Sequence, residues 1–231
     1  MMFLQTDEQT IEDLGIFGKQ NSGGIFDLYN SAHTRGGEEM LKTLFRSPLS
    51  DQDTINQRSS IIAHFADMKA VFPFDSSSFD AAERYLLNNS GRSKDTSSHT
   101  TVLNEKEMHN GVTAIIGILW RTREFIDSPA VNAITAYRDE REAIAMLLAD
   151  AAFEPALKEK PQAKLPYPAI TAYDVLFRVR EHEKIKKLFA HIYALDVYLS
   201  VAEVAVKRNF VFPTALEKGL NILNLSGVYH P

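Results

Sequence analysis

Apolar residues recur at three- and four-residue intervals along most of this chain, the spacing of helices that bury one face. After a glycine-rich turn at Ser22-Gly23-Gly24, Met40, Leu41, Leu44 and Phe45 mark one face of a short helix that ends at Ser47-Pro48. Asp51 or Ser50 can cap the next helix, where Ile55, Ile62, Phe65 and Ala66 recur and which Pro73 closes. A third helix follows Ser78, carries Phe79, Ala82, Leu86 and Leu87, and stops at Asn88-Asn89-Ser90-Gly91. Residues 91–101 hold no apolar side chain, so nothing offsets the entropy of ordering them.

Two long helical patterns come next, over 103–126 and 129–151, with Pro129 suited to a first helical turn. Val112, Ile115, Ile116, Leu119 and Trp120 form the first stripe; Val131, Ile134, Tyr137, Ile144, Leu147 and Leu148 form the second. Pro155, Pro161, Pro166 and Pro168 punctuate a loop. A last helical pattern, with room for a bend, runs from Ala169 to Arg208 through Ile185, Leu188, Ile192, Leu195 and Leu199. Beyond it, Phe210-Val211-Phe212-Pro213 and Leu220-Asn221-Ile222-Leu223-Asn224-Leu225 are short, apolar and strand-like. Two such strands make no stable sheet by themselves, so they predict the opening of a second domain. The expected fold is all-α, with long helices projecting from a core around Leu41, Phe45, Ile62, Leu195 and Leu199; residues 1–209 form one unit and 210–231 begin another.

Composition adds exclusions. A 45% apolar and 24% charged chain of 231 residues is an ordinary globular one. Without cysteine there are no disulfides, zinc thiolates or thiol nucleophiles, which suits a reducing cytoplasm. No uninterrupted apolar run reaches membrane-spanning length and the first residues lack the features of a signal peptide, so no membrane partner is expected. A formal net charge of -5 argues against a surface that grips nucleic acid all over, and leaves room for a local basic patch.

Chemistry-bearing motifs are sparse. No P-loop, Gly-x-Gly-x-x-Gly or His-Glu-x-x-His occurs; Gly18-Lys19-Gln20 lacks both the upstream glycine and the hydroxyl. Histidines at 33, 64, 99, 109, 182, 191 and 230 lack ligand spacing. Glu181-His182-Glu183 and Asp139-Glu140-Arg141-Glu142 read as solvated helix turns. Neither catalysis nor a bound metal or cofactor is expected of this chain. The one charged feature with functional potential is Arg178, Arg180, Lys184, Lys186 and Lys187, interrupted by Glu181 and Glu183. Such a helix can touch phosphates; the leading reading is a solvated face whose Glu and Lys residues pair locally.

Two segments near opposite ends resemble the MutS family of DNA mismatch-repair ATPases. In Gly24 to Leu41, Leu28-Tyr29-Asn30 resembles a family helix end, and Thr34 and Gly37 fall on its Thr-x-x-Gly turn. The likeness continues through Leu44 to Leu49 and into Ile55-Asn56-Gln57-Arg58, similar to the family's Ile-Asn-x-Arg helix start; Thr10 to Leu14 resembles its short lead-in. The second segment, Leu195-Asp196 through Ala205, resembles the helix that leads from the family's core into its ATPase domain. Gly227-Val228-Tyr229-His230-Pro231 resembles its Gly-x-Arg-His-Pro, with Tyr229 in place of Arg.

The resemblance implies a non-catalytic core and lever region that couples an ATPase to DNA-contacting parts. ATP and Mg are expected in an ATPase domain beyond Pro231, which would be this chain's partner, with DNA a further partner and a homodimer expected of the full-length protein. The family's mismatch-reading Phe-x-Glu motif is absent and the two matched ends stand too close for its DNA-clamp insertion, so mismatch recognition does not transfer. The alternative is a stand-alone helical interaction or nucleic-acid-binding module.

Overall fold

A computed structural model describes residues 3–18, 23–87, 103–159, 164–220 and 222–226. They form α-helices α1 (Glu8–Asp13), α2 (Ile25–Tyr29), α3 (Arg35–Arg46), α4 (Gln52–Asp67), α5 (Ser76–Leu87), α6 (Glu105–Ile126), α7 (Pro129–Asn132), α8 (Arg138–Leu148), α9 (Glu154–Lys158), α10 (Tyr167–Val175) and α11 (His182–Arg208). The all-α expectation holds: among the described residues no strand forms, and one isolated antiparallel bridge joins Phe3 to Leu49.

Local chemistry sets the helix starts. Asp7, Thr34, Asp51, Asn104 and Ser128 each accept a backbone N–H of the following first turn through their side chains. At α6 the cap is reciprocal, since Glu107 reaches back to the Asn104 N–H at 3.0 Å.

α11 is the axis of the fold. At about 1.5 Å per residue its 27 residues span about 40 Å. Ile185, Leu188, Ile192, Leu195, Leu199 and Ala202 are all buried in one apolar core with Phe65 of α4, Phe79 of α5, Leu119 of α6 and Ile144 of α8. By length and composition alone α11 could cross a membrane. Of its apolar stretch 56% is instead buried inside the protein, and Asp196 sits fully buried along it. A second, smaller cluster packs Phe26 and Leu41 against Val197.

The structure corrects three expectations. The pattern at 129–151 is not one helix: α7 ends at Asn132, Ile134 turns extended, and a 3-10 turn over Thr135–Tyr137 leads into α8. The break places Val131, Ile134 and Tyr137 together in the core, and the Asn132 side chain closes α7 by donating to the Asp127 carbonyl at 3.1 Å. The proline-rich loop contains α9, with Pro155 in a first turn where its missing N–H costs nothing. α5 starts at Ser76, ahead of Ser78, because Asp75 accepts the Ser78 N–H. The strand-like tail forms no sheet among its described residues, as expected of two lone strands, and a turn at Lys218-Gly219 interrupts it.

The expected bend in the last pattern is real. α10 passes into a π turn over Leu176–Arg180, closed by Glu181 N–H donating to the Leu176 carbonyl at 2.8 Å, and α11 starts after it. The predicted stop at 88–91, the polar stretch 91–101, Pro161 and the 227–231 motif lie outside the described residues.

Candidate functional site

The polar residues buried on α11 mark the site. Asp196 and Ser200 are 0% exposed and one helical turn apart, so both face the loop between α2 and α3. A buried carboxylate is tolerated only when its lone pairs are filled. The Asp196 carboxylate accepts the Thr34 N–H at 2.8 Å, the Thr34 hydroxyl at 2.8 Å and the His33 N–H at 3.0 Å. His33 Nδ1 lies 3.1 Å from it, and the imidazole stacks on Phe72 with centroids 4.8 Å apart.

Thr34 passes the interaction on. Its hydroxyl oxygen accepts the Gly37 N–H at 2.9 Å and so caps α3 while donating to Asp196. A carboxylate beside a helix amino terminus also meets the positive end of the helix dipole. Ser200 completes the grip: its hydroxyl accepts the Ser31 N–H at 2.8 Å and donates to the Tyr29 carbonyl at 2.9 Å.

Close approach requires glycine at two positions here. A Cβ on Gly37 would stand 2.4 Å from Asp196 Oδ2, and one on Gly36 would stand 2.3 Å from the Tyr193 ring. Tyr193 in turn donates its hydroxyl to Glu83 of α5 at 2.6 Å. α11 thus ties the incoming loop, α3 and α5 together within about two turns of its own length.

The basic segment is built differently. Arg178 is not a free phosphate ligand: it makes a two-pronged ion pair with Asp174, each contact 2.7 Å, and lies over the Tyr85 ring. Tyr85 donates its hydroxyl to the same Asp174 at 2.8 Å. Burial first, then the Asp174 carboxylate, push the Tyr85 phenol well above its ordinary range. Lys184 bridges Asp150, in the turn after α8, at 2.6 Å and Glu181 at 2.7 Å. Lys186 pairs with Glu183 at 3.3 Å. Arg180 and Lys187 are exposed, and no ion pair ties them among the described residues. The five cations therefore do not converge; the local-pairing reading describes three of them.

No group of three or more metal-ligating side chains occurs among the described residues. His182 stands at the start of α11 and His191 pairs with Glu140 at 2.6 Å, each apart from the other histidines described.

The Asp196 joint was absent from the candidate residues read off the sequence, although both of its halves lie in the two segments that carried the resemblance. A signal was available. Asp196 sits among Leu195, Val197 and Leu199, at a position that helical spacing from Ile192 assigns to the core side, and a charge there demands a partner.

No curated protein matches the chain. The family model for MutS domain III matches residues 9–202, a span that includes Thr34, Gly37, Asp196 and Ser200. That domain is non-catalytic, so the match assigns no reaction to these residues. With most of its length matched and the two family-like segments joined at one buried carboxylate, the chain belongs to the MutS domain III family.

Proposed function

We propose that this chain is the core and lever region of a MutS-like, mismatch-repair-related protein, carrying a change of state between an ATPase domain and the parts that contact DNA. The observation that carries this reading is the joint. One helix of about 40 Å grips the incoming loop through Asp196 and Ser200, then hands the chain on after Arg208. A stiff element packed along its length moves as a rigid body, which is what transmission requires.

The neighbouring domain is inferred from exposed apolar surface. Val211, Leu216, Leu220, Ile222, Leu223 and Leu225 are all exposed after α11, a density that calls for a covering partner. ATP and Mg belong to that partner in this reading, which also takes the protein to be cytoplasmic and homodimeric when complete. Nothing in the chain's own chemistry is routed through them.

Two measurements test it. In the protein carrying both parts, Ser200→Ala is expected to lower DNA-stimulated ATP hydrolysis toward the unstimulated rate and to leave that basal rate unchanged. Full stimulation in the variant would overturn the coupling role. Calorimetric titration of this chain with ATP is expected to show no stoichiometric binding; micromolar binding would assign it a different function.

A further inference from the structure

α4 carries two working faces, and the second one meets the segment that leaves α11. α11 ends at Arg208, the left-handed backbone of Asn209 (φ 54) turns the chain, and the Phe210 N–H closes the turn on the Ala205 carbonyl at 2.9 Å. The chain then runs along α4. Asn56 pairs with the backbone of Ala215 as a neighbouring strand would: its amide nitrogen donates to the Ala215 carbonyl at 3.0 Å, and its oxygen accepts the Ala215 N–H at 2.7 Å. Gln52 donates to the same carbonyl at 3.2 Å, and Ser59 donates to the Pro213 carbonyl at 3.0 Å. Residues 52, 56 and 59 share one face of a helix.

Apolar packing does not fix this segment by itself. Phe210 lies on Tyr29 and Phe212 reaches the core, but Val211 is 85% exposed. A cavity of about 400 Å³ remains between the segment and Leu44, Ile55, Ile62, Val201 and Ala205. What defines the path is the polar track. It also gives a physical role to Ile55-Asn56-Gln57-Arg58: Ile55 and the half-buried Arg58 line the cavity, and Asn56 holds the departing backbone.

We propose that the Gln52–Asn56–Ser59 face of α4 is a docking track for the departing segment, and that Asn56 is the positioning residue that sets the direction in which the chain leaves the helical core. The purpose of the track rests on the lever reading, because a fixed direction here is what a neighbouring domain would push against. The track itself does not rest on it.

The test uses the whole chain and reads single amides by hydrogen exchange. In Asn56→Ala, exchange of the Ala215 N–H is expected to accelerate about tenfold, the loss of one ordinary hydrogen bond, while Leu195 on α11 keeps its protection. Asn56→Asp keeps the acceptor but sets a carboxylate oxygen where the amide donated to the Ala215 carbonyl, so it too should speed exchange of the Ala215 N–H. An unchanged rate in Asn56→Ala overturns the track. If Asn56→Ala fails to fold, Gln52→Ala decides, since an unchanged Ala215 N–H there, with a donor to the Ala215 carbonyl gone, contradicts the track.

Direction has its own readout. The chain has no native cysteine, so Met146→Cys and Lys218→Cys can carry spin labels in isolation. A narrow distance distribution that broadens in Asn56→Ala supports a set direction, and an unaltered one overturns it. Failure here leaves the ATPase-coupling test untouched, so the two readings fall separately.

Discussion

α11 and the turn before it contain two polar regions of opposite design. Around 178–187 the paired cations find partners mostly close in sequence: Arg178 takes Asp174, Lys186 takes Glu183, and Lys184 takes Glu181 together with the more distant Asp150. Around 196–200 the partners are more than 160 residues away, and both polar side chains are fully buried. The first region is dense in charge and mostly solvated; the second has a single charge and no access to water. Charge density draws attention in a sequence, but burial decides what a polar group is worth, because only a buried group loses its alternative partner when the contact is cut.

The comparison breaks first at Asp196. Asp196→Ala removes the acceptor from the buried Thr34 N–H and hydroxyl and from the His33 N–H, and should cost about 3–5 kcal/mol. Urea unfolding followed by circular dichroism measures it. A loss below about 1 kcal/mol would mean that water or a shifted loop replaces the carboxylate, and that the joint is not a structural centre. Asp196→Asn keeps one acceptor oxygen and should lose roughly half as much.

Gly37→Ala approaches the same joint from the other side. The new methyl meets Asp196 Oδ2 at 2.4 Å, and that oxygen is held by its donors, so neither side yields easily. A cost of about 2–3 kcal/mol is expected by the same unfolding measurement, without loss of any polar group. Gly117→Ala is the control: nothing lies within 4 Å of the added methyl, and a helix gains from alanine. Equal destabilisation by the two would remove the steric argument.

How much of this was legible follows from the range of each interaction. The stripes of α3, α4, α6 and α11 could be read because each is a repeat along the chain. The Asp51 cap could be read because its acceptor and donor are three residues apart. The break at Ile134 could not: its reason is the joint burial of Val131, Ile134 and Tyr137 against other helices, which local spacing does not encode. Thr34, Gly37 and Asp196 were each visible inside a family-like segment, yet their pairing is a fact of the folded chain alone. The basic segment was legible in its local pairs, since i,i+3 and i,i+4 spacing is itself a sequence property.

Arg178 sharpens the comparison, since it is the member of the basic segment that is largely buried. Arg178→Met leaves the half-buried Asp174 with Tyr85 as its remaining partner in the clamp and should cost about 1–2 kcal/mol, between the joint and the surface pairs. The clamp also has an alkaline signature. With its folded-state pKa raised above the ordinary 10.0, Tyr85 contributes stability that is complete below that value and is lost as pH rises past it. Tyr85→Phe should therefore flatten the fall in stability above pH 10, measured as unfolding midpoints across an alkaline series. An unchanged slope would place that alkaline loss elsewhere.

The smallest effect belongs to the exposed cations. Lys187→Glu and Lys186→Glu touch no buried group, and an exposed pair such as Lys186–Glu183 contributes little against water and salt. Each should shift stability by less than about 0.5 kcal/mol. That near-zero value is useful, because it lets a binding assay be read without a folding artefact. Arg180 and Lys187, exposed and without ion pairs among the described residues, are where a phosphate would have to be met. If the region contacts DNA, reversing Arg180 and Lys187 weakens duplex binding at low salt and flattens its salt dependence, while Lys184→Glu does more to the Asp150 contact than to DNA. Equal, salt-insensitive binding by the original chain and the reversed variants would show that the segment's charges serve its own helix, and would leave the buried joint as the part of α11 with a role beyond packing.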